Sequence, residues 1–99
     1  MNEFNEMIKQ DKPTLADFFA TWCGPCRMQA PILEQVKKEV GDIANIIKID
    51  IDMSGDLAAE YRVQSVPTLI LFKNGQPVWR VSGVQQAELL AAKIREFAK

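Results

Sequence analysis

The sequence contains no histidine and only two cysteines, Cys23 and Cys26, among its 99 residues. A structural zinc ion needs four ligands, usually cysteine or histidine, so a zinc site within one chain is all but excluded. A scaffold held together by disulfides would need more cysteines. The lack of histidine also removes the usual proton carrier near neutral pH, which leaves that work to a carboxylate, a lysine or water.

Long apolar runs and an excess of one charge are also missing. No segment approaches the roughly 20 apolar residues that cross a bilayer. The 12 basic and 13 acidic side chains give a net charge of −1, so neither nucleic acid nor a membrane surface is an expected partner. The acidic, polar residues 1–6 do not resemble a secretory signal. We therefore expect a cytoplasmic protein, with a mature exported form as the alternative.

An apolar fraction of 47% is enough for one domain over residues 1–99. Apolar spacing predicts helices at residues 2–10, 24–40, 56–62 and 85–98, and strands at 14–20, 44–51, 67–73 and 76–82. The first two strands should be parallel because a long helix joins them. Asn74-Gly75 predicts an antiparallel hairpin between the last two. The expected fold is α/β, a mixed four-stranded sheet with helices on both faces.

The long second helix is predicted to turn one apolar face to the core, formed by Met28, Ile32, Leu33, Val36 and Val40. Gly41 is predicted to end this helix. Pro31 lies inside it and is predicted to kink it.

The two cysteines lie where the first strand ends and the second helix begins, in the run Trp22-Cys23-Gly24-Pro25-Cys26. Reaction sites in open α/β sheets favour the carboxyl ends of strands. A helix start presents free N–H groups and a partial positive charge. A cysteine there should have a lowered pKa, so that a larger fraction of it is the reactive thiolate. Pro25 suits the first turn, Gly24 lets a partner backbone approach, and the spacing lets the cysteines form a disulfide.

These positions predict different roles for the two cysteines. Cys23 precedes the helix and should be the more exposed, so it attacks a substrate disulfide and forms a mixed disulfide. Cys26 then attacks Cys23 and releases the reduced substrate. Asp17, the one charge on the first strand, is predicted to take the proton of Cys26. Burial is expected to raise the pKa of Asp17, which suits a carboxyl group to proton transfer near neutral pH. Lys48, on the neighbouring strand, is the predicted countercharge.

Each assignment has a plainer alternative. The cysteine pair could be inert, Asp17 could lie in solvent at a strand boundary, and Lys48 could be an ordinary surface charge. Trp22 could belong to the core instead of flanking the site. Pro67, which follows Val66, could open its strand with a trans peptide bond, because only about 5% of such bonds are cis.

Two longer segments resemble the thioredoxin family closely. One runs from Asp17 to Pro31 and reads DFFATWCGPCRMQAP, and the other runs from Val66 to Gly75 and reads VPTLILFKNG. Residues 48–52 and Gly83 also match the family in order and spacing. The resemblance implies the thioredoxin fold and the activity of a protein-disulfide reductase, a thiol–disulfide oxidoreductase that carries electrons.

The resemblance also implies roles that spacing does not. Pro67 is identified with the family's cis-proline, whose backbone lies against the disulfide, and Val66 with the residue that pairs its main chain with a substrate strand. Gly83 is similar to the glycine of the flat substrate-docking surface. Asp17 and Lys48 match the family's buried acid and its lysine partner. The docking surface implied by the family comprises Trp22, Gly24, Pro25, Val66, Pro67 and Gly83.

The family also implies partners and a source of electrons. The electrons are expected from a thioredoxin reductase, and the substrates are target proteins with disulfides. No bound cofactor and no metal is expected, and the expected state is a monomer.

Three departures from the family pattern stand out. Phe19 replaces the second tryptophan of many members, and Arg27 stands where lysine is common. The N-terminus is shorter than in many members, so we expect the usual edge strand before the first helix to be missing, which would give a four-stranded sheet, lower stability, and an exposed strand through which dimerisation is conceivable.

Three functions are compatible with these features. The first is a general disulfide reductase, which Gly24-Pro25 favours because related oxidising enzymes usually carry a histidine between the cysteines. The second is a dedicated reductant in an extracytoplasmic redox pathway. The third is a binding module in which the cysteines are incidental.

Overall fold

The predicted order of helices and strands is confirmed in a computed structural model, which describes residues 2–99. The helices are α1 (Asn2–Ile8), α2 (Gly24–Val40), α3 (Gly55–Glu60) and α4 (Ala87–Phe97). The strands are β1 (Thr14–Phe19), β2 (Asn45–Asp50), β3 (Thr68–Lys73) and β4 (Gln76–Ser82). A short 3-10 helix, Gly41–Ile43, follows α2 and was not predicted. Among the described residues, no helix is both long and apolar enough to cross a membrane.

The sheet has four strands in the order β2-β1-β3-β4. Strands β1 and β2 are parallel, and the other two pairs are antiparallel, as predicted for the first pair and for the hairpin. Asn74 and Gly75 form the hairpin turn, both with positive φ. Strand β1 is central and its side chains are buried on both faces of the sheet, which explains why its sequence is almost continuously apolar.

Helices cover both faces of the sheet, so the core has two layers. The layer beneath α2 and α4 is aliphatic and includes Leu15, Leu33, Val36, Leu90 and Ile94. The layer beneath α1 and α3 is richer in aromatic side chains and includes Phe4, Phe18, Leu57 and Phe72. Full burial of each such side chain stabilises the fold by about 1.5–3 kcal/mol. The central strand contributes to both layers because its side chains alternate between the two faces.

One predicted core residue is wrong: Met28 is 63% exposed. The buried stripe of α2 passes through Gln29 instead, which has no exposed surface. Gln29 lies three residues after Cys26 and four before Leu33, the spacing that keeps side chains on one helix face, whereas Met28 is rotated by about 100° from that line. The apolar pattern predicted the wrong helix face near the cysteines, because the buried residue there, Gln29, is polar.

The ends of α2 follow local sequence signals. Cys23 is the N-cap residue, and Pro25 stands in the first turn. Gly41 ends the helix with a φ of 61°, and its N–H donates to the Lys37 carbonyl, so the predicted stop is confirmed. The helix continues through Pro31, where the kink stays a prediction.

Candidate active site

Cys23 and Cys26 are joined by a disulfide, with their Cα atoms 5.3 Å apart. The chain turns from β1 into α2 just before them, where the Cys23 N–H donates to the Ala20 carbonyl at 3.2 Å. The Cys26 N–H donates to Cys23 Sγ at 3.1 Å, so the sulfur itself caps the helix. The free N–H groups of a helix start are the groups that stabilise a thiolate on such a sulfur.

Cys23 and Cys26 line different grooves on the surface. Whole-residue exposure does not separate them, since Cys23 is 5% and Cys26 4% exposed in the disulfide form. Cys23 lines a groove of about 420 Å³ together with Trp22, Gly24, Pro25 and Val66. Cys26 lines a second groove, of about 300 Å³, that also contains Phe19 and Lys48. The first groove therefore gives a partner access to Cys23.

The loop facing the disulfide contains a cis peptide bond between Val66 and Pro67. The trans alternative is therefore wrong, and the expectation from the family resemblance is confirmed. The Val66 carbonyl oxygen lies 3.5 Å from Cys23 Sγ. The Pro67 carbonyl accepts a hydrogen bond from the Gly83 N–H at 2.9 Å. Of the described residues predicted for the docking surface, Pro67 and Gly83 do not line the groove at Cys23, but this bond holds them beside it.

Trp22 flanks the site and does not belong to the core, since it is 65% exposed. Its indole N–H donates to the Asp52 carboxylate at 2.9 Å. Asp52 is held by a turn in which its own N–H donates to the Asp50 side chain at 2.9 Å. The sequence analysis did not single out Asp52, although it lies in the family-like segment 48–52.

Asp17 is completely buried in the middle of β1. Alternation along the strand places it on the same face as Leu15, which packs under α2, and Phe19, which packs beside Cys26. Neither carboxylate oxygen has a hydrogen-bond partner among residues 2–99. Burial raises the pKa of Asp17 from 3.8 to about 6, against a smaller lowering by the positive charge of Lys48. The solvent-exposed alternative for Asp17 is wrong.

Lys48 stands opposite Asp17 in the parallel β1–β2 register. It is exposed, and its Nζ lies 4.6 Å from the centre of the Phe19 ring. The ammonium group therefore makes a cation–π contact, while its charge still lowers the pKa of Asp17. Both readings of Lys48 are partly right, since it is a surface charge that acts on the buried acid.

Gln29 is a second residue near the site that the sequence analysis missed. It is fully buried, and its side-chain amide forms two hydrogen bonds with the main chain of Gln85, in the segment between β4 and α4. The sequence does contain one indication of this role, a polar residue one helical turn after Cys26 on the buried face of α2. The sequence analysis had predicted that Met28 lies on that face, so Gln29 was not recognised as buried.

The arrangement can carry out one kind of chemistry. A disulfide at the start of a helix, open to a groove that a partner can enter, can exchange disulfides with other molecules. In the described part of the chain, no group of three or more histidine, cysteine or acidic side chains is placed to hold a metal ion. The fold and the site together define a thiol–disulfide oxidoreductase.

Comparisons with known proteins narrow this class. The family model for thioredoxin matches residues 1–96. A thioredoxin-like protein of Synechocystis is 52% identical over 95 residues, which cover 95% of this chain and 90% of that protein. The bifunctional thioredoxin reductase/thioredoxin of Mycobacterium leprae is 45% identical over 96% of this chain, a match that spans 20% of that protein. The solved structure of a thioredoxin mutant from Halobacterium salinarum superposes with a TM-score of 0.90 at 36% identity, over 100% of this chain and 86% of the other.

The chain belongs to the thioredoxin family, and it has the thioredoxin fold. It is a protein-disulfide reductase of that family, in which the Cys23–Cys26 disulfide is the redox-active pair. These comparisons lend no support to the alternative of a dedicated extracytoplasmic reductant.

Proposed function

We propose that Cys23 is the attacking nucleophile of this reductase and Cys26 its resolving thiol. The observation that carries the proposal is the hydrogen bond from the Cys26 N–H to Cys23 Sγ at 3.1 Å. In the reduced protein, this bond and the helix start would stabilise a thiolate on Cys23. Cys23 also lines the groove with Trp22, so it is the sulfur that a substrate disulfide reaches first.

The reaction then proceeds in two exchanges. The Cys23 thiolate bonds to one sulfur of a substrate disulfide, and the other substrate sulfur leaves as a thiolate. Cys26 loses its proton and bonds to Cys23 Sγ, which breaks the mixed disulfide and releases the second substrate sulfur. Two electrons have passed to the substrate, which is now a dithiol, and the chain holds the Cys23–Cys26 disulfide seen in the structure.

Asp17 is the proposed base for the second exchange. Its pKa of about 6 lies closer to neutrality than that of an ordinary carboxyl, which suits it to accept a proton from Cys26, directly or through water. Lys48 keeps that pKa from rising further, because its charge favours the ionised carboxylate. Both residues are therefore proposed as part of the catalytic machinery.

The proposed docking surface surrounds Cys23. Gly24 and Pro25 are exposed at the start of α2, and Trp22 is fixed at its side by Asp52. Val66 would pair its main chain with an extended segment of the substrate, which is a common way to bind a peptide. Pro67 and Gly83 complete the list of proposed docking residues.

The proposed cellular setting follows from the family. Residues 1–99 would act as one monomeric domain in the cytoplasm, with no bound cofactor. A thioredoxin reductase would supply the electrons, and target proteins with disulfides would receive them. The relative from Mycobacterium leprae, a bifunctional thioredoxin reductase/thioredoxin, supports the pairing with a reductase.

Two serine variants test the assignment of the cysteines. Cys23→Ser should abolish the reduction of insulin disulfides by the dithiothreitol-reduced protein, because the attacking sulfur is gone. Cys26→Ser should instead remain bound to its substrate as a mixed disulfide, visible on a non-reducing gel. Trapping by Cys23→Ser and none by Cys26→Ser would reverse the assignment, and full insulin reduction by Cys23→Ser would refute the proposed mechanism.

A further inference from the structure

Gln29 is buried in a way that satisfies both ends of its side-chain amide. Its exposed fraction is 0%, and it lies on α2 one turn after Cys26. The Gln29 Nε2 donates to the Gln85 carbonyl at 3.0 Å, and the Gln85 N–H donates to Gln29 Oε1 at 2.7 Å. The two bonds fix both the position and the orientation of the Gln85 peptide groups relative to α2.

Hydrogen bonds from Gln85 also restrict the position of Gly83. The side chain of Gln85 folds back, and its Nε2 lies 3.3 Å from the carbonyl oxygens of both Ser82 and Gly83. The Gly83 N–H in turn donates to the Pro67 carbonyl at 2.9 Å. The segment between β4 and α4 is thus bonded to α2 on one side and to the cis-proline loop on the other.

The cis-proline loop also contacts the disulfide, so these contacts form a closed set around it. The Val66 carbonyl oxygen lies 3.5 Å from Cys23 Sγ. The contacts therefore connect α2 to the segment between β4 and α4, that segment to the cis-proline loop, and the cis-proline loop to Cys23. We call this set of segments the docking ring; it consists of residues 23–29, 66–67 and 82–85. Every proposed docking residue except Trp22 lies in it.

Gln29 supports the part of the docking ring that lies between β4 and α4. The residues from Gly83 to Gln85 lie between β4 and α4 and belong to neither element, and Gly83 has a φ of 88°. An apolar side chain at position 29 would leave a main-chain donor and a main-chain acceptor of Gln85 without these partners. Such unpaired groups carry a cost that the segment can relieve by moving outward towards water.

We propose that Gln29 is a positioning residue, which holds the Gly83 segment at the place where a protein substrate docks. The inference rests on the proposed function of the docking surface. Among the described residues, the Gln29 amide hydrogen-bonds to the Gln85 main chain and to neither sulfur, so it acts on the recognition of protein disulfides and leaves the thiol chemistry of Cys23 unchanged.

The test compares Gln29→Met with the matched variant Gln35→Met. Methionine preserves the length of the side chain and helix formation, and it removes both bonds to Gln85. Gln35 lies on the same helix, is exposed, and bonds only to Glu39 among the described residues. Each variant and the parent protein are assayed with insulin, a protein disulfide, and with 5,5′-dithiobis(2-nitrobenzoate), a small disulfide that needs no docking surface.

For Gln29→Met, KM for insulin should rise about tenfold, which corresponds to a loss of about 1.4 kcal/mol of docking free energy when the Gly83 segment moves. Its kcat and its rate with the small disulfide should stay within about twofold of the parent, and Gln35→Met should match the parent throughout. An unchanged KM in a folded Gln29→Met would overturn the inference. So would an equal loss with both disulfides, which would indicate a general structural role.

A second variant covers the case in which Gln29→Met does not fold. Gln85→Ala removes the bonds to the Ser82 and Gly83 carbonyls from a partly exposed position, and it should raise KM for insulin in the same selective way. No selective rise in KM for Gln85→Ala would then refute the inference. Failure of the proposed function is distinguishable, because the parent protein itself would reduce neither disulfide.

Discussion

Replacing Asp17 by asparagine is predicted to change how the stability of the oxidised protein depends on pH. Burial raises the pKa of Asp17 from 3.8 to about 6, so the folded chain keeps a proton that the unfolded chain has already lost between these two values. Unfolding in that range releases the proton, and the stability of the parent protein therefore falls as pH rises from about 4 to about 6. Asparagine has no charge to bury at any of these pH values.

The size of the effect follows from the shift of the pKa. A change from 3.8 to about 6 corresponds to about 3 kcal/mol of lost stability once the carboxylate is ionised in both states. Between about pH 4.5 and pH 8 the stability of Asp17→Asn should gain about 2 kcal/mol relative to the parent, because part of the loss has already occurred at the lower pH. The cost of hydrogen bonds that the buried amide leaves unmade is the same at every pH, so it cancels from the comparison.

Urea unfolding of the oxidised proteins at a series of pH values measures this difference. The disulfide form is the right one to use, because neither cysteine can then titrate. Asp42→Asn, at an exposed position in the 3-10 helix, controls for the loss of one negative charge. A difference between Asp17→Asn and the parent that stays flat from about pH 4.5 to pH 8 would refute the reasoning, because the carboxyl would then not be perturbed by burial.

Two further predictions concern the buried acid. Asp17→Asn should slow the release of substrate from the mixed disulfide about tenfold or more at pH 7 while leaving its formation unchanged, since only the second exchange needs a base; stopped-flow traces with both steps unchanged would remove Asp17 from the mechanism. Lys48→Met should raise the pKa of Asp17 further, because the positive charge that lowers it is gone; carboxyl NMR titration of the oxidised protein would show this, with Lys37→Met as the exposed control, and an unmoved midpoint would contradict it.

The sequence predicted the order of elements and the position of the cysteines because these depend on local signals. Apolar spacing and the Asn74-Gly75 turn placed every strand to within two residues. The cysteines were placed at the start of α2 by the end of the apolar strand and by Pro25. The burial of Asp17 also followed from position, since a charge inside a strand that is buried on both faces has no route to solvent.

The features that were missed depend on contacts between distant segments. Gln29 and Gln85 are 56 residues apart, and nothing in either neighbourhood indicates that the two meet. Trp22 and Asp52 are 30 residues apart and meet only because β1 and β2 are neighbours in the sheet. The cis bond before Pro67 came from the family resemblance alone, because the preference of a single proline favours trans.

The two chemical steps draw on parts of the fold that can be changed separately. Attack by Cys23 depends on the start of α2, whose Cys26 N–H stabilises negative charge on the sulfur. Resolution by Cys26 depends on Asp17, which the middle of β1 holds in the core and Lys48 of β2 influences from the sheet edge. Recognition depends on a third part, segments 66–67 and 82–85 of the docking ring. A substitution in one part should therefore alter one rate or binding constant and leave the others close to the parent, which is why the split between KM, formation and release is the informative measurement for this chain.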